Sequence, residues 1–387
     1  MNTGRPRRPS RRSFLAGSAA FGAAMLAGCA GERTSIGVGA DQFGTLRIRN
    51  WTDYIDPELL PVISADIGVA LDYQASYESN DEALELHLNP FLAQLDAGSA
   101  PDFDVIMPTN WLAARLIEDG AVEPLPIELI PNHVNIDPAY LTNDWDRGSR
   151  FQMPWQAGIT GIAYDPAATG RPIESIADLL DPAFAGRVAM IGEMREAVGL
   201  GMLLNGDDPT RPDETSAAAG FARIAEAVQR GQFAAATYGD FAGGLASGAF
   251  VAAMAWSGDT VLLQAERPDI EFVIPDEGAI SWFDTMVIPK GAANVGSAGR
   301  FMNWAYDPAN AAQLTSWVQY VSPVLGVQNE LRTLGGEAAA LADSQILFPD
   351  ATTRNRLFTW GSGLDRDVED ALEADFFDLI DPILTDG

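Results

Sequence analysis

Residues 46–60, LRIRNWTDYIDPELL, hold the pattern from which the fold is predicted. The stretch opens with the apolar run of a short β-strand, and a helix is predicted to begin near Pro57. Between them, Trp51 and Tyr54 flank the carboxylate of Asp53. A turn requires none of these side chains, whereas aromatic rings around a carboxylate suit an organic cation. We therefore predict that this junction is part of a cation pocket and is not a turn.

The alternation of strand and helix continues along the rest of the chain. Short apolar runs predict strands at LRIRNW, VALDYQA, DFDVIMP, GITGIAY, RVAMIG, VAAMAW, IEFVIP and TMVIP. Longer periodic stretches predict helices at DEALELHLNPFLAQLDAG, WLAARLIEDG, ETSAAAGFARIAEAVQRG, GSAGRFMNWAYDP and DVEDALEADFFDLID. The 387 residues are enough for two lobes, and the alternation predicts an α/β fold with mostly parallel sheets.

The chain is strongly acidic, with 54 acidic and 24 basic residues and a formal net charge of −30. Phosphate contacts need basic patches, so nucleic acid is not an expected partner. An acidic field attracts cations, but acidic surfaces also confer solubility, and Lys290, the only lysine, indicates a bias of genome or habitat. Only charges inside a pocket can therefore argue for a ligand.

The N-terminus is predicted to be an export signal. Residues 1–29 combine a basic start, a short apolar run and a small-residue end, and the run is too short for a membrane span. RRSFL at residues 11–15 resembles a twin-arginine signal, and LAGC at residues 26–29 resembles the lipobox of bacterial lipoproteins. The resemblance implies lipidation of Cys29, the only cysteine, which excludes a disulfide within the chain. Residues 30–44 are predicted to be a flexible tether.

Tryptophan and acidic residues are paired after several predicted strands. NWTDY, AWSGD and SWFD each place an acid two or three residues after a tryptophan. In parallel α/β sheets, ligands bind at the carboxyl ends of strands. Aromatic faces cover the methylenes of an alkylammonium ion and attract its charge, while carboxylates accept charge-assisted hydrogen bonds. The residues that this pattern selects are Trp51, Asp53, Tyr54, Trp111, Glu193, Glu196, Trp256, Asp259, Trp282 and Asp284.

Each of these residues also has an ordinary structural explanation. A single tryptophan is more often part of a core, and an isolated acid is more often solvated or ion-paired. Glu193 and Glu196 would equally favour the N-terminus of a helix. The pairing, rather than any one residue, is what favours a binding site.

Metal and catalytic sites are not predicted. His87 is predicted on a helix surface and His133 in a loop, and neither histidine has a partner at ligand spacing. No GxSxG, Walker, HExxH or GxGxxG sequence is present. An oxygen-only calcium site stays open, although no D-x-D-x-D-G loop is found. We therefore expect no enzymatic activity, no cofactor and no metal.

Motifs along most of the chain resemble the polyamine-binding proteins of ABC importers, the spermidine/putrescine substrate-binding family. In order they are NWTDY, YESND at 77–81, FDVIMPTNW at 103–111, REA at 195–197, AWSGD at 255–259 and AISWFDTMVIPKGA at 279–292. The resemblance runs from about Leu46 to beyond Phe348. It implies a type II periplasmic-binding-protein-like α/β fold, with two lobes joined by crossing strands and a ligand cleft between them. Lobe 1 is expected at residues 45–155 and 283–325, and lobe 2 at residues 156–282 and 326–387.

The resemblance also implies the ligand-binding residues. Asp284 is expected to anchor one ammonium group, while Trp256 and Trp282 sandwich the methylenes. The set carried over residue by residue is Trp51, Thr52, Asp53, Tyr54, Thr109 and Trp111 from one lobe, Glu193, Glu196, Trp256 and Asp259 from the other, Trp282 and Asp284 near a crossing, and Tyr320 in QYVSP.

Some positions depart from the family's pattern. Thr109 stands where a serine is common, and Trp111 where tyrosine or phenylalanine is frequent. TWGSGLDRD, after FPD at 348–350, departs from the usual sequence, so Trp360 is a weaker candidate. Asp259 resembles putrescine-type members, whereas Glu193 and Glu196 resemble the acids that hold a longer ligand. The choice between putrescine and spermidine therefore stays open.

The sequence as a whole predicts a monomeric, lipid-anchored, extracytoplasmic binding protein that captures a polyamine and passes it to an ABC permease. One alternative is a binding protein or sensor component for another small organic cation. A second is an exported enzyme, against which the missing catalytic motifs argue.

Overall fold

The computed structural model describes residues 34–36 and 44–385 of the chain. The predicted export signal, Cys29 and most of the tether lie outside the described residues. The described chain forms two lobes: lobe 1 comprises residues 34–36, 44–157 and 283–348, and lobe 2 comprises residues 158–282 and 349–385. Among the described residues, no helix combines the length and the apolar character needed to cross a membrane.

Strands and helices alternate along both lobes. The strands are β1 (Thr34–Ile36), β2 (Leu46–Trp51), β3 (Leu71–Tyr77), β4 (Val105–Ile106), β5 (Gln152–Tyr164), β6 (Val188–Ile191), β7 (Phe233–Thr237), β8 (Ala252–Trp256), β9 (Glu271–Val273), β10 (Ala279–Val287) and β11 (Leu357–Thr359). The helices are α1 (Leu59–Ile67), α2 (Asn80–Ala83), α3 (Asn89–Asp96), α4 (Asn110–Glu118), α5 (Pro166–Thr169), α6 (Ile176–Leu179), α7 (Met194–Asn205), α8 (Glu214–Gln229), α9 (Phe241–Ser247), α10 (Ser257–Glu266), α11 (Val295–Ala305), α12 (Pro308–Val318), α13 (Val327–Leu334), α14 (Gly336–Leu341), α15 (Ala351–Arg354) and α16 (Arg366–Ile380).

In lobe 1, the sheet is built around β2, which pairs in parallel with β3 and with β4. Strand β1 adds antiparallel to β3, and the last residue of β10 pairs antiparallel with β4. Leu46 and Ile48 of β2 are completely buried. Arg47, which stands between them, projects to the other face and pairs with Asp104 at 2.9 Å, so the strand alternates apolar and polar residues at its start.

In lobe 2, β6 lies between β8 and β7 and pairs in parallel with both. The second half of β5 pairs antiparallel with β8 and β9. Helices α7 and α8 pack closely, and a Cβ added at Gly201 would lie 2.4 Å from the carbonyl oxygen of Gly220. Because β8, β6 and β7 are parallel, the residues that follow them stand at one edge of the sheet.

The junction after β2 is a turn, contrary to the prediction. Asp53 has φ of 57°, in the left-handed region that Asp tolerates better than most residues. The Thr52 amide donates to the Tyr77 carbonyl at 3.0 Å, so the turn stays attached to the end of β3. The short acidic side chain that suggested a pocket is thus also one of the few that this backbone accepts.

Two further predictions differ from the structure. The return segment of lobe 1 extends to residue 348 rather than 325, because α13 packs against α12 and so keeps residues 326–348 with lobe 1. His87 is not a free surface residue of an α-helix: it lies half-buried in a π-helical segment, Leu84–Leu88, and its ring packs edge-on against Tyr77 and Phe103. Its Nε2 is 2.8 Å from the Ser76 hydroxyl. Burial, with a smaller contribution from Arg49, lowers the pKa of His87 to about 4.

Candidate functional site

Three polar side chains of lobe 2 are linked by hydrogen bonds to the carboxylate of Glu196, two of them directly and one through Thr160. Glu196 lies in the first turn of α7, where the positive end of the helix dipole favours a negative charge. Trp256, the last residue of β8, donates from its Nε1 to Glu196 Oε2 at 2.7 Å. The hydroxyl of Thr160, from β5, donates to the same oxygen. Trp282, from β10, donates from its Nε1 to Thr160 Oγ1 at 3.0 Å. This hydrogen-bonded set of Glu196, Thr160, Trp256 and Trp282 is called the Glu196 cluster below.

The two tryptophans of the Glu196 cluster meet edge to face. Their ring centroids are 6.1 Å apart and their planes are at 71°. Parallel rings that sandwich a methylene chain would need about 7–8 Å between their planes, twice a carbon–carbon contact distance. The two rings are therefore not arranged as a parallel sandwich, and the covering of ligand methylenes by these tryptophans stays a prediction. Both indole N–H groups converge on neighbouring acceptors, Glu196 and Thr160, and this convergence turns the edge of one ring toward the face of the other.

Gly158 makes room for the indole of Trp282 on strand β5. A Cβ added at Gly158 would lie only 2.3 Å from Cζ2 and 2.6 Å from Cη2 of Trp282. Any side chain at position 158 would therefore displace the ring. The glycine permits the ring to lie flat on the strand, within reach of the Thr160 hydroxyl two residues further along the same face.

The other predicted acids of lobe 2 stand at the same sheet edge. Glu193 lies two residues after the end of β6 as the N-cap residue of α7, and its side chain makes no capping hydrogen bond. Asp259 lies in the first turn of α10, directly after β8. Both residues are buried, with 8% and 5% of their surface exposed.

In lobe 1, the predicted aromatic residues form a continuous cluster. The ring centroids of Trp51 and Tyr77 are 4.9 Å apart, those of Trp51 and Tyr54 are 6.3 Å apart, and those of Tyr54 and Tyr320 are 5.7 Å apart. The indole Nε1 of Trp51 donates to the Met107 carbonyl at 2.7 Å, which fixes the ring at the end of β4. Tyr54 and Tyr320 are almost completely buried.

Asp284 is held beside this cluster by Thr109. The Thr109 hydroxyl donates to Asp284 Oδ1 at 3.0 Å, and the Thr285 amide donates to the Pro108 carbonyl at 2.8 Å. Asp284 is 2% exposed. Burial above all, with a smaller contribution from the charge of Asp284, raises the pKa of Tyr77 well above its ordinary value. Tyr77 therefore keeps its proton and donates to the Met107 carbonyl at 3.0 Å.

The remaining candidates are placed less centrally. Thr52 and Asp53 are half-buried in the turn after β2. One face of the half-buried Trp111 ring is covered by the Arg115 guanidinium at 5.1 Å, so only its other face or its edge can meet a ligand. Trp360 is buried, and its Nε1 donates to Glu369 Oε1 at 2.8 Å. Trp360 thus belongs to a second tryptophan–glutamate pair in lobe 2.

Sequence reasoning missed three contributors to these clusters: Gly158, Thr160 and Tyr77. Tyr77 begins YESND, one of the motifs on which the family resemblance rests, so the sequence already marked its position. Thr160 is a hydroxyl residue inside the otherwise apolar GITGIAY run, and Gly158 opens that run. A hydroxyl in a fully buried strand needs a partner, which was the available signal. No group of three or more His, Cys, Asp and Glu side chains suited to a metal occurs within residues 34–36 and 44–385.

Comparison with known proteins identifies the class. The chain belongs to the family of bacterial extracellular solute-binding proteins, whose model matches residues 88–340. It is 30% identical over 324 residues to the putrescine-binding periplasmic protein SpuD of Pseudomonas aeruginosa, an alignment that covers 78% of this chain and 84% of that protein. It is 26% identical over 309 residues to spermidine/putrescine-binding periplasmic protein 1 of Haemophilus influenzae, covering 78% of this chain and 82% of that protein. The resemblance to polyamine substrate-binding proteins is thereby confirmed.

The fold is similar to that of a solved substrate-binding protein. The structure of the spermidine/putrescine ABC transporter substrate-binding protein PotD from Streptococcus pneumoniae superposes with a TM-score of 0.72 at 24% sequence identity. The match covers 88% of this chain and 99% of that one. The predicted fold class, a two-lobed α/β fold of the periplasmic-binding-protein type, is confirmed.

Proposed function

We propose that this chain is an extracytoplasmic substrate-binding protein that captures a polyamine, putrescine or spermidine, and delivers it to an ABC importer. The observation that carries the proposal is the Glu196 cluster, in which Trp256 and Thr160 donate to one half-buried carboxylate and Trp282 donates to Thr160. The names of the curated relatives support the same ligand class. The protein binds and releases its ligand without making or breaking a covalent bond.

The chemistry of a polyamine suits the two clusters. Each ammonium group has N–H donors and a full positive charge, and each linker is a chain of methylenes. Glu196 and Asp284 are already oriented by Thr160 and Thr109, so neither carboxylate has to be ordered when the cation arrives. Carboxylate–ammonium hydrogen bonds are among the stronger ones in proteins, and tryptophan faces add a cation–π attraction.

The location and the partners of the protein follow from the N-terminal pattern and from the family. The twin-arginine and lipobox sequences support export and lipidation at Cys29, and hence anchoring at the outer face of a membrane, with the binding domain in the periplasm or its equivalent. The permease subunits of an ABC transporter are the expected partners, and a monomer is the expected form. No enzymatic activity, cofactor or nucleic acid is part of the proposal.

The test is calorimetric titration of the full chain with putrescine, cadaverine, spermidine and spermine at low and high salt. We expect one-to-one binding of one or two of these amines that persists at the higher salt, because buried pairs are poorly screened. Weak binding of all four that disappears with salt would show attraction by the acidic surface alone and would refute the proposal. Loss of an amine from solution over time would support an enzyme instead.

Glu196→Gln tests the central residue of the site. The amide keeps the size and one acceptor oxygen for Trp256 and Thr160 but removes the charge. We expect the affinity for the polyamine to fall by a factor of about ten or more, the scale of a charge-assisted hydrogen bond. Glu271→Gln is the matched control, because Glu271 accepts a hydrogen bond from Tyr164 in the same lobe and is not among the candidate residues. Equal affinities in the two variants would contradict the role of Glu196.

A further inference from the structure

Arg195, the residue before Glu196, carries a buried forked ion pair. Its side chain is 4% exposed. Its Nε donates to Glu369 Oε1 at 2.9 Å, and its Nη1 donates to Glu373 Oε1 at 2.6 Å. Both acids belong to α16 and are four residues apart, so they lie on one face of that helix. The first turn of α7 is therefore tied directly to the C-terminal helix.

Trp360 completes this network from a third element. Its Nε1 donates at 2.8 Å to Glu369 Oε1, the same oxygen that receives the Nε of Arg195. The segment after β11, the helix α16 and the start of α7 are thus joined by one glutamate. Removing one member would leave a buried charge or N–H without its partner, which costs more than the pair itself contributes.

Arg195 and Glu196, which are neighbours in the first turn of α7, contact different elements of lobe 2. Successive residues of a helix point about 100° apart, so Arg195 and Glu196 project from different sides of the same turn. Glu196 meets Trp256 and Thr160, whereas Arg195 meets α16. Both side chains leave the same turn of backbone. If the ion pairs of Arg195 with α16 are lost and that turn shifts, the carboxylate of Glu196 shifts with it.

We infer that Arg195 is a positioning residue for the polyamine site and that helix α16 acts through it as part of the binding machinery. The inference rests on the proposed function and adds helix α16 to the residues that support the binding site. The family model ends at residue 340, so α16 lies beyond the matched region. A site needs its ligand-contacting side chains held by outer partners, and Glu369, Glu373 and Trp360 are those partners here.

The experiment compares Arg195→Gln with Arg171→Gln in the full chain, titrated calorimetrically with putrescine and spermidine. Arg171 is the control, because it makes a fork to two carboxylates in the same lobe, to Asp178 at 2.6 Å and Asp181 at 2.9 Å, with a side chain that is 39% exposed and, among the described residues, makes no hydrogen bond to the Glu196 cluster. We expect Arg195→Gln to lower the affinity about tenfold, the scale on which outer partners act at metal ligands. Arg171→Gln should stay within about twofold of the unaltered chain.

A double-mutant cycle of Arg195→Gln and Glu373→Gln separates positioning from mere stability. Each variant is measured for polyamine affinity and for the free energy of unfolding in urea. The inference expects the double variant to lose no more affinity than Arg195→Gln alone, and Arg195→Lys to restore part of it. If Arg195 and Glu373 are coupled in the free energy of unfolding but not in the polyamine affinity, the inference is overturned. If Arg195→Gln does not fold, Glu373→Gln and Arg195→Lys supply the same comparison.

The outcomes also separate this inference from the proposed function. If the unaltered chain binds a polyamine and Arg195→Gln binds it equally well, the inference alone is refuted. If the unaltered chain binds none of the amines, the proposed function fails and the inference fails with it.

Discussion

Replacement of Gly158 by alanine tests whether the orientation of Trp282 matters for binding. The added Cβ would stand 2.3 Å from Cζ2 and 2.8 Å from Cε2 of the indole. Non-bonded carbon atoms settle at about 3.5–4.0 Å, so the ring would have to move by roughly 1 Å or more. Because Gly158 lies on the backbone of a central strand, the ring and not the strand is expected to move.

The magnitude follows from what the displaced ring loses. The hydrogen bond from Trp282 Nε1 to Thr160 Oγ1 is 3.0 Å long, and a shift of that size takes it out of range. The overpacking should cost about 1–3 kcal/mol of unfolding free energy. Loss of one hydrogen bond that organises the site should lower the polyamine affinity by about five- to tenfold, since about 1 kcal/mol is a factor of five.

The matched control is Gly161→Ala, on the same strand. A Cβ at Gly161 would lie 2.7 Å from Phe272 Cζ and 2.7 Å from the Val273 carbonyl oxygen, so the overpacking is of similar severity. Gly161 is three residues from Gly158 and therefore faces the other side of β5, away from Trp282. Urea unfolding and calorimetric titration of both variants are the assays.

The expected pattern is similar destabilisation in both variants and reduced affinity in Gly158→Ala only. Equal affinity in Gly158→Ala, Gly161→Ala and the unaltered chain would show that the ligand does not sense the position of Trp282. The Glu196 cluster would then only stabilise the fold of lobe 2, and the proposal that it binds the ligand would be refuted.

Three further predictions follow from other features. Thr160→Val should leave the buried Trp282 N–H without an acceptor, cost about 1–3 kcal/mol in urea unfolding and weaken polyamine binding in titration. Because burial lowers the pKa of His87 from 6.5 to about 4, protonation favours the unfolded chain, so stability should fall as the pH drops from 6.5 toward 4. His87→Gln should flatten that part of the unfolding profile, and an unchanged profile would contradict the assignment. Cys29→Ser should abolish labelling of the exported protein by a radioactive fatty acid.

The strands could be predicted where several large apolar or aromatic residues stand in one short run, and not elsewhere. LRIRNW marks β2 and VAAMAW ends where β8 ends. Strand β7, FAAAT, was missed, because alanine carries little preference for strands. It forms because β6 offers a parallel edge, with pairing from Phe233 to Thr237 that no local pattern reveals.

Helix α7 was missed for a related reason. Its sequence, MREAVGLGMLLN, contains two glycines, which weaken an isolated helix by about 1 kcal/mol each. The structure shows what offsets that cost: at Gly201 the helix approaches Gly220 of α8 so closely that no Cβ would fit. Helix propensity alone therefore argues against an element that close packing of two helices stabilises.

The tryptophan–acid pairs could be predicted because their members are neighbours in the sequence and follow strands. Their hydrogen-bond partners could not be predicted in this way. The Thr160 hydroxyl reaches Glu196 across 36 residues and receives Trp282 across 122 residues, and it comes from the middle of a strand rather than from its end. Sequence spacing indicates which side chains stand at a sheet edge, but the direction in which each one points depends on such long-range partners.

This distinction changes the expected binding mode. Two parallel rings would hold the middle of a methylene chain, whereas two rings at 71° form a corner, and a corner accepts the end of a chain. Glu196 accepts the Trp256 N–H, and Thr160, which receives the Trp282 N–H, donates to the same carboxylate, so an ammonium group at this corner would meet a carboxylate and two aromatic rings together. We therefore expect Glu196 to anchor a terminal amine of the ligand. A monoamine of the same chain length should therefore bind the unaltered chain more weakly than the diamine in calorimetric titration. The Glu196→Gln variant should bind the two with similar affinity, and a preference for the diamine as large as that of the unaltered chain would contradict the role of Glu196.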